Sequence, residues 1–170
     1  MQSLIVGIAD CRVSRDPGDT LVTYALGSCM AVAIWDPVAR VAGLLHYMLP
    51  DSSIDAVKSR ERPFMFADTG IPLLFRTAYD CGAEKRRLLV RVAGGAQVVD
   101  DHGVFDIGRR NYLALRRILW RAGVLIHAED VGGTVSRSVR LDVRTGAMWL
   151  RTGGQGAEHE LAAPRAAGKV

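Results

Sequence analysis

Cys29 and His46 are the residues whose types and spacing best fit chemistry in this chain of 170 residues. Cys29 follows Gly27 and Ser28, and His46 lies on the next apolar segment. A thiolate is a strong nucleophile, and a neighbouring histidine can take the thiol proton or form a thiolate–imidazolium pair with it. Such a pair requires the two pKa values, roughly 8.5 and 6.5, to move towards or past one another. Packing in an apolar core is the alternative explanation for both residues.

The segments that carry these two residues have the composition of strands. Apolar, β-prone runs cover 21–26, 30–35 and 41–49 and are separated by Gly-, Ser- and Pro-containing breaks. We therefore expect 30–35 and 41–49 to be antiparallel neighbours, about 5 Å apart. Contact between the Cys29 and His46 side chains is then feasible.

The remaining elements predict an α+β fold. Further strands are expected over 4–9 (continuing into 12–14 after a break), 88–93, 124–128, 135–143 and 147–150. Apolar residues at three- and four-residue spacing predict helices over 69–81, with Pro72 in the first turn, and over 108–122. The polar segment 51–63 is expected to be a mobile loop beside the site. Because strands and helices do not alternate regularly, α+β fits better than a doubly wound sheet.

The composition argues against several classes of protein and site. Hydrophobic residues make up 49% and charged residues 24%, as in soluble globular proteins. The chain has neither an apolar run long enough to span a bilayer nor a signal peptide, so we expect a cytoplasmic protein. Three cysteines without CxxC spacing, and scattered histidines, indicate no disulfide framework and no metal site. The pairs Gly94-Gly95 and Gly132-Gly133 lack nucleotide-binding spacing and are interpreted as turns, so no cofactor is expected.

The basic charge suggests acidic partners. The formal net charge is +4, and several arginines lie within one predicted helix. They are Arg109, Arg110, Arg116, Arg117 and Arg121. They form either a solvated outer face or a docking face for an acidic protein. Nucleic acid is not expected, because aromatic residues make up only 6% and we expect none to interleave with the arginines as a stacking platform.

Ordered motifs run through most of the chain. They are Val6-Gly7-Ile8-Ala9-Asp10, Thr23 with Leu26-Gly27-Ser28-Cys29, Gly43 with His46-Tyr47-Met48-Leu49-Pro50, Ala93-Gly94-Gly95-Ala96, Ile107-Gly108-Arg109-Arg110-Asn111, Ala128-Glu129-Asp130-Val131-Gly132-Gly133, and Arg137. Over roughly residues 5–151 they resemble the CheD family of chemoreceptor glutamine deamidases. Leu45 departs from the family pattern, which often has a small residue before the histidine, and we expect it to influence the substrate groove.

The resemblance implies a fold and a set of site residues. The fold would be a layered α/β sandwich of mostly antiparallel strands with two main helices, related to the deamidase domain of cytotoxic necrotizing factor toxins. Residues 1–152 would form a single CheD-like domain, and 153–170 a C-terminal tail that is partly disordered. The resemblance assigns Cys29 as the nucleophile, His46 as the catalytic histidine and Thr23 as the third catalytic residue. Without it, Thr23 is simply a β-prone strand residue.

The backbone beside the cysteine is a candidate for stabilising negative charge. The backbone N–H groups of Gly27, Ser28 and Cys29 could donate hydrogen bonds to an oxyanion, because glycine lets the chain turn closely there. Ser28 itself has no separate base assigned to it. We therefore interpret it as a backbone donor position.

The implied reaction is hydrolysis of glutamine side chains to glutamate on the helical cytoplasmic region of methyl-accepting chemotaxis receptors, without a cofactor. A CheC-type phosphatase is an implied further partner, while nucleic acid binding and membrane insertion are not expected. Three alternatives remain open. They are a non-catalytic regulator of the same fold, another cysteine hydrolase such as a methylesterase or transglutaminase-like enzyme, and a basic nucleic-acid-binding domain.

Overall fold

The computed structural model describes residues 1–97 and 106–162. The strands are β1 (Gln2–Ile5), β2 (Asp10–Ser14), β3 (Asp19–Leu26), β4 (Met30–Asp36), β5 (Val41–Tyr47), β6 (Leu89–Gly94), β7 (Ala128–Val131), β8 (Arg137–Asp142), β9 (Met148–Thr152) and β10 (Glu158–Glu160). The helices are α1 (Ala56–Glu61), α2 (Ala67–Asp80) and α3 (Ile107–Arg121), with 3₁₀ turns at Ser52–Ile54, Pro63–Met65 and Lys85–Arg87. None of the helices in these ranges has the length and apolar character needed to cross a membrane.

The strands form two five-stranded sheets. The outer sheet has the order β1-β3-β8-β9-β10, and the central sheet has the order β2-β5-β4-β6-β7. Pairing is antiparallel except between β1 and β3 and between β6 and β7. Helices α2 and α3 pack on the central sheet, against β5 and β4 respectively. The order of layers is therefore outer sheet, central sheet, helices, and the expected α+β sandwich of mostly antiparallel strands is confirmed.

Two apolar layers hold this stack together. In β4, Met30, Val32 and Ile34 face the helices, whereas Ala31 and Ala33 face the outer sheet. This alternation follows from the two-residue period of a strand. Because β4 and β5 are covered on both faces, their sequences are almost entirely apolar, with Asp36 and His46 as the exceptions. In β8, by contrast, buried and partly exposed residues alternate along the strand.

Two strand predictions are wrong in their bounds. The expected strand over 4–9 ends at Ile5, and the chain crosses to the other sheet through Ala9, which has a φ of 56°. The strand expected over 124–128 lies instead at Ala128–Val131. Val124 and Ile126 pack against the helix-side layer, and parallel pairing with β6 begins only at Ala128. Apolar composition alone does not distinguish these packed coil segments from strands.

The helical region between β5 and β6 also departs from expectation. The predicted loop over 51–63 contains a 3₁₀ turn and α1. The Asp51 carboxylate accepts from Ser53 N–H and caps the 3₁₀ turn, and the Asp55 carboxylate accepts from Lys58 N–H and caps α1. Helix α2 begins at Ala67, so Pro72 lies inside it rather than in its first turn. Ala67 and Gly70 are buried, and their burial favours the earlier start.

The segment after residue 152 contains structure that the sequence did not predict. β10 pairs with β9, and Leu161 packs against the layer between the two sheets. His159, interpreted from sequence as a tail residue, is in β10. His102 lies outside the described residues.

Candidate active site

Thr23 and His46 come from different sheets and meet between them. Thr23 is in β3 of the outer sheet, His46 is in β5 of the central sheet, and both are almost completely buried. The Thr23 hydroxyl oxygen and the His46 Nδ1 atom are 2.8 Å apart. The same hydroxyl lies 2.7 Å from the carbonyl oxygen of Val6. Two of the three residues predicted as catalytic are therefore in direct contact.

These hydrogen bonds fix the tautomer of the histidine. A threonine hydroxyl has one proton, and here it is donated to the Val6 carbonyl oxygen, which can only accept. The hydroxyl must then accept from His46, so Nδ1 carries the hydrogen. The lone pair of the neutral ring is left on Nε2, which is buried and has no hydrogen-bond partner among the described residues. Nε2 is therefore the atom that can take up a proton.

Cys29 lies at the same end of the central sheet. Directly after it, Met30 and Ala31 pair with Tyr47 and His46. Because side chains alternate along a strand, Cys29 shares the sheet face of Ala31 and His46, and it packs against the layer between the sheets. In the continued register Cys29 and His46 are diagonal neighbours, whose Cα atoms typically lie about 7–8 Å apart. The pairing places all three predicted residues on the inter-sheet side.

The loop that carries the cysteine is held through its carbonyl groups. We call residues 27–29 the nucleophile loop. Its three carbonyl oxygens accept hydrogen bonds from Ala96 N–H (to Gly27), Asn111 Nδ2 (to Ser28) and Gly95 N–H (to Cys29), each 2.9 Å long. In a planar trans peptide the N–H points away from the preceding carbonyl, so the N–H groups of Ser28 and Cys29 are directed away from these donors.

Burial sets the protonation states of the resting site. It raises the pKa of the Cys29 thiol above its ordinary value, an effect partly offset by the hydrogen bond from the residue's own N–H. It lowers the pKa of His46 to about 4. Both shifts are opposite to those that a thiolate–imidazolium pair requires. These directions favour a neutral thiol and a neutral imidazole in the resting protein rather than the expected thiolate–imidazolium pair.

Comparison with known proteins places the chain in a family. A family model described as CheD chemotactic sensory transduction matches residues 48–152. The chain belongs to the CheD family. A relative from Solibacter usitatus, named probable chemoreceptor glutamine deamidase CheD, is 56% identical over 155 residues, which cover 91% of this chain and 92% of the relative. A relative from Syntrophus aciditrophicus, named probable chemoreceptor glutamine deamidase CheD 1, is 53% identical over 154 residues, covering 91% and 96% respectively.

The CheD resemblance inferred from sequence is thereby confirmed, but one inference drawn from it is not. Leu45 belongs to the layer between the central sheet and the helices and is fully buried. It therefore faces away from His46, because neighbouring residues of a strand point to opposite faces. The expectation that Leu45 shapes the groove beside the histidine is wrong for this reason.

Asn111 is the residue at the site that sequence reasoning missed. The sequence predicts that Asn111 lies within the helix over 108–122, whereas its side chain donates to the carbonyl oxygens of Ser28 (2.9 Å) and Met48 (2.8 Å). A fully buried, carboxamide-bearing residue in an otherwise apolar stripe is the signal that could have revealed it, because such groups need hydrogen-bond partners.

The basic face of α3 is exposed and more aromatic than expected. Arg109, Arg110, Arg117 and Arg121 are exposed and form no ion pair within the described parts of the chain. Arg116 stacks over Tyr112, 5.8 Å from the ring centroid, and Trp120 is 81% exposed. The expectation that no aromatic residue interleaves with these arginines is therefore wrong.

Proposed function

We propose that this CheD-family protein hydrolyses glutamine side chains of chemoreceptors to glutamate, with Cys29 as nucleophile, His46 as general base and Thr23 as its orienting partner. The observation that carries this assignment is the Thr23–His46 hydrogen bond, which leaves Nε2 as the basic atom on the sheet face where Cys29 lies. The names of the close relatives support the same reaction.

The neutral resting site favours a particular order of proton transfers. As the Cys29 sulfur bonds to the side-chain carbonyl carbon of glutamine, His46 Nε2 takes the thiol proton. The resulting imidazolium gives that proton to the departing nitrogen, and ammonia leaves with formation of a thioester. Nε2 then takes a proton from water, which attacks the thioester and releases glutamate and the free thiol. Thr23 keeps Nδ1–H occupied throughout, so Nε2 stays available.

The oxyanion formed in both steps needs donors that are already in place. The N–H groups of Ser28 and Cys29 are directed away from the hydrogen bonds that hold the nucleophile loop, and Gly27 permits the close turn before them. One such donor is typically worth about 10²–10³ in rate.

The receptor would bind along the exposed face of α3. The arginines of α3 that form no ion pair among the described residues suit an acidic partner helix. Tryptophan, such as the exposed Trp120, and arginine are common at the energetic centres of interfaces. A cleft of about 490 Å³ lies between Arg110, Arg117 and Arg121 on α3 and Asp51 and Asp68 opposite. The substrate region proposed is the helical cytoplasmic part of the receptor, which places the protein in the cytoplasm.

The test of function is intact-mass and peptide mass spectrometry of a receptor cytoplasmic fragment incubated with wild type and with Cys29→Ala. We expect conversion of Gln to Glu with wild type alone, at identifiable sites. Ammonia release should occur without incorporation of an added amine, which separates hydrolysis from transamidation. Conversion at an equal rate with Cys29→Ala would exclude Cys29 as the nucleophile.

A non-catalytic CheD-like regulator that binds a CheC-type phosphatase or receptors is the second candidate. The observation that favours it is the partly buried Cys29 thiol, whose raised pKa favours the protonated form, a weaker nucleophile than a thiolate. The same experiment discriminates between the two. A receptor fragment that binds the protein but shows no mass change, together with unchanged binding by Cys29→Ala, would support the regulator.

A further inference from the structure

We propose that Asn111 is a positioning residue of the reaction: its carboxamide sets the nucleophile loop relative to His46 and aims the Cys29 N–H at the oxyanion. This proposal rests on the proposed function for the reaction it serves. Nothing in the chemistry assigned above uses Asn111, which lies on a helix outside both sheets.

The two hydrogen bonds of Asn111 join the strand of the base to the loop of the nucleophile. One acceptor, the Ser28 carbonyl, immediately precedes Cys29, and the other, the Met48 carbonyl, lies two residues after His46. Both acceptors are backbone atoms, so the bridge does not depend on flexible side chains. The pairing of β4 with β5 ends at Met30 and Tyr47. Beyond that pair, the Asn111 carboxamide fixes the distance between the nucleophile loop and the segment after His46.

The Ser28 hydrogen bond also determines the direction of one N–H. The peptide between Ser28 and Cys29 is planar, so holding its carbonyl towards Asn111 turns the Cys29 N–H to the opposite side. If the Ser28 carbonyl lost its hydrogen bond to Asn111, the Ser28–Cys29 peptide could rotate. The Cys29 N–H would then no longer point towards the oxyanion of the substrate.

The helix turn that carries Asn111 is itself fixed to the site. The Tyr47 hydroxyl donates to the backbone carbonyl of Asn111 at 2.6 Å, and Tyr47 directly follows His46. Gly108 lies so close to the backbone of Gly95 and Ala96 that a Cβ atom there would be 2.5 Å and 2.7 Å from their carbonyl oxygens. Those two residues are the donors to Gly27 and Cys29. The first turn of α3 therefore holds the nucleophile loop by two routes.

Packing alone does not explain this side chain. Asn111 is fully buried, and its Oδ1 has no partner among the described residues, which costs stability. A leucine of similar shape would avoid that cost but would leave the Ser28 and Met48 carbonyls without this donor. The chain retains the carboxamide at a position where packing alone would favour an apolar residue. The carbonyl bridge is the property that only the carboxamide supplies.

The test compares Asn111→Leu with Leu119→Ala, a buried α3 substitution four positions beyond Leu115 that leaves the bridge intact. For each variant we would measure Tm, the kcat and KM of deamidation, and the pH midpoint for alkylation of Cys29 by iodoacetamide. For Asn111→Leu we expect kcat to fall about 10²-fold, as for loss of one oxyanion donor, with KM nearly unchanged. The alkylation midpoint should move to higher pH, since the thiol loses the N–H that lowers its pKa. Leu119→Ala should change Tm alone.

Tyr47→Phe gives a second route that disturbs packing less, because it removes only the hydroxyl that holds the Asn111 carbonyl. We expect a smaller fall in kcat and a midpoint shift in the same direction. If Asn111→Leu does not fold, this variant decides the question. The proposal would be overturned if the tested variant, Asn111→Leu or Tyr47→Phe, had the same alkylation midpoint and the same kcat as Leu119→Ala when compared at equal Tm. If wild type does not deamidate, the proposed function fails, but the alkylation midpoints still test whether Asn111 positions Cys29.

Discussion

The Thr23–His46 pair is a weaker version of the arrangement in which a carboxylate orients a catalytic histidine. A neutral hydroxyl accepts from Nδ1–H but adds no charge to stabilise an imidazolium, and burial keeps the pKa of His46 at about 4. The site therefore keeps its base neutral at rest. In the proposed reaction, the proton from Cys29 is transferred only when substrate is attacked. A partly buried thiol with a raised pKa is also less prone to adventitious oxidation and alkylation.

Replacing Thr23 tests the orienting hydrogen bond. Thr23→Val keeps the side-chain shape but removes the acceptor, so the His46 Nδ1–H is left buried and unpaired at a cost of about 1–3 kcal/mol. No hydrogen bond then selects the tautomer with hydrogen on Nδ1 and the lone pair on Nε2. We therefore expect kcat for deamidation to fall at least tenfold. Thr23→Ser is the matched control, since its hydroxyl can make both bonds. Equal kcat values for the Val and Ser variants would contradict the role given to Thr23.

The depressed pKa of His46 predicts a specific dependence of stability on pH. The ordinary value is 6.5 and the folded value is about 4, so the unfolded chain binds the extra proton between these limits. Stability is therefore full above pH 6.5 and is lost as the pH falls towards 4, by roughly 2–3 kcal/mol from this group. Urea unfolding at pH 7.5, 5.5 and 4.5 measures it. His46→Asn, which does not titrate, should lose less stability over this range. Parallel curves for the two proteins would show that His46 is not the buried neutral group.

For individual residues, the sequence predicted which side chains form the site but not the contacts and burial that determine their protonation. Cys29 and His46 could be selected because thiol and imidazole are groups that this chemistry uses, whereas Thr23 was assigned only through the resemblance to the CheD family. The bond from Thr23 to Val6, and with it the tautomer of His46, depends on the crossing of two sheets and could not be predicted. The neutral resting state depends on burial by residues distant in the chain.

At the scale of elements, the turn after β6 acts as a support for the nucleophile loop. Gly94 has a φ of +114°, and a Cβ atom there would lie 2.2 Å from the Cys29 carbonyl oxygen. Only glycine combines that backbone conformation with so close an approach. The glycine pair that the sequence indicated as a turn therefore also shapes the site.

Gly94→Ala and Gly82→Ala form a matched pair of variants. Both glycines have positive φ, +114° and +99°, so both substitutions carry the backbone penalty. A Cβ atom at Gly82 meets nothing within 4 Å, whereas one at Gly94 must displace Cys29. We expect both variants to lose about 1 kcal/mol or more of stability, but only Gly94→Ala to lose deamidase activity. Assays at a temperature where both are folded distinguish the effects, and full activity in Gly94→Ala would refute the support role.

The elements themselves were predictable where the apolar pattern was long or regular. The strands β3, β4, β5 and β6 and the helices α2 and α3 were located to within a few residues, because each buries a continuous or periodic apolar face. Prediction failed where side chains pack without strand pairing, as at Val124 and Ile126, and where caps stabilise a short helix, as in α1. The strand β10 consists of exposed residues and has no apolar pattern at all.

At the scale of the whole molecule, the C-terminal strand bears on where the domain ends. Leu161 donates its N–H to the Met148 carbonyl at 2.8 Å, and its own carbonyl accepts from the buried Arg91 at 3.3 Å. We expect a chain ending at residue 152 to be about 2 kcal/mol less stable than one ending at 162, because it loses these bonds and the packing of Leu161. The Tm should be lower by roughly 4–8 °C for a chain of this size. Equal Tm values would support a domain that ends at 152.

The two sheets are assembled from strands that alternate along the chain. Strands β1 and β3 precede most of the central sheet, but β8, which pairs with β3, begins only at Arg137. Thr23 therefore has no completed sheet behind it, and His46 has no fixed orientation, until most of the chain has been synthesised. A nascent chain exposes an ordinary thiol and an ordinary imidazole rather than a deamidase. We expect the ability to modify receptors to appear only with the finished protein, so that no partly made chain can alter receptor signalling.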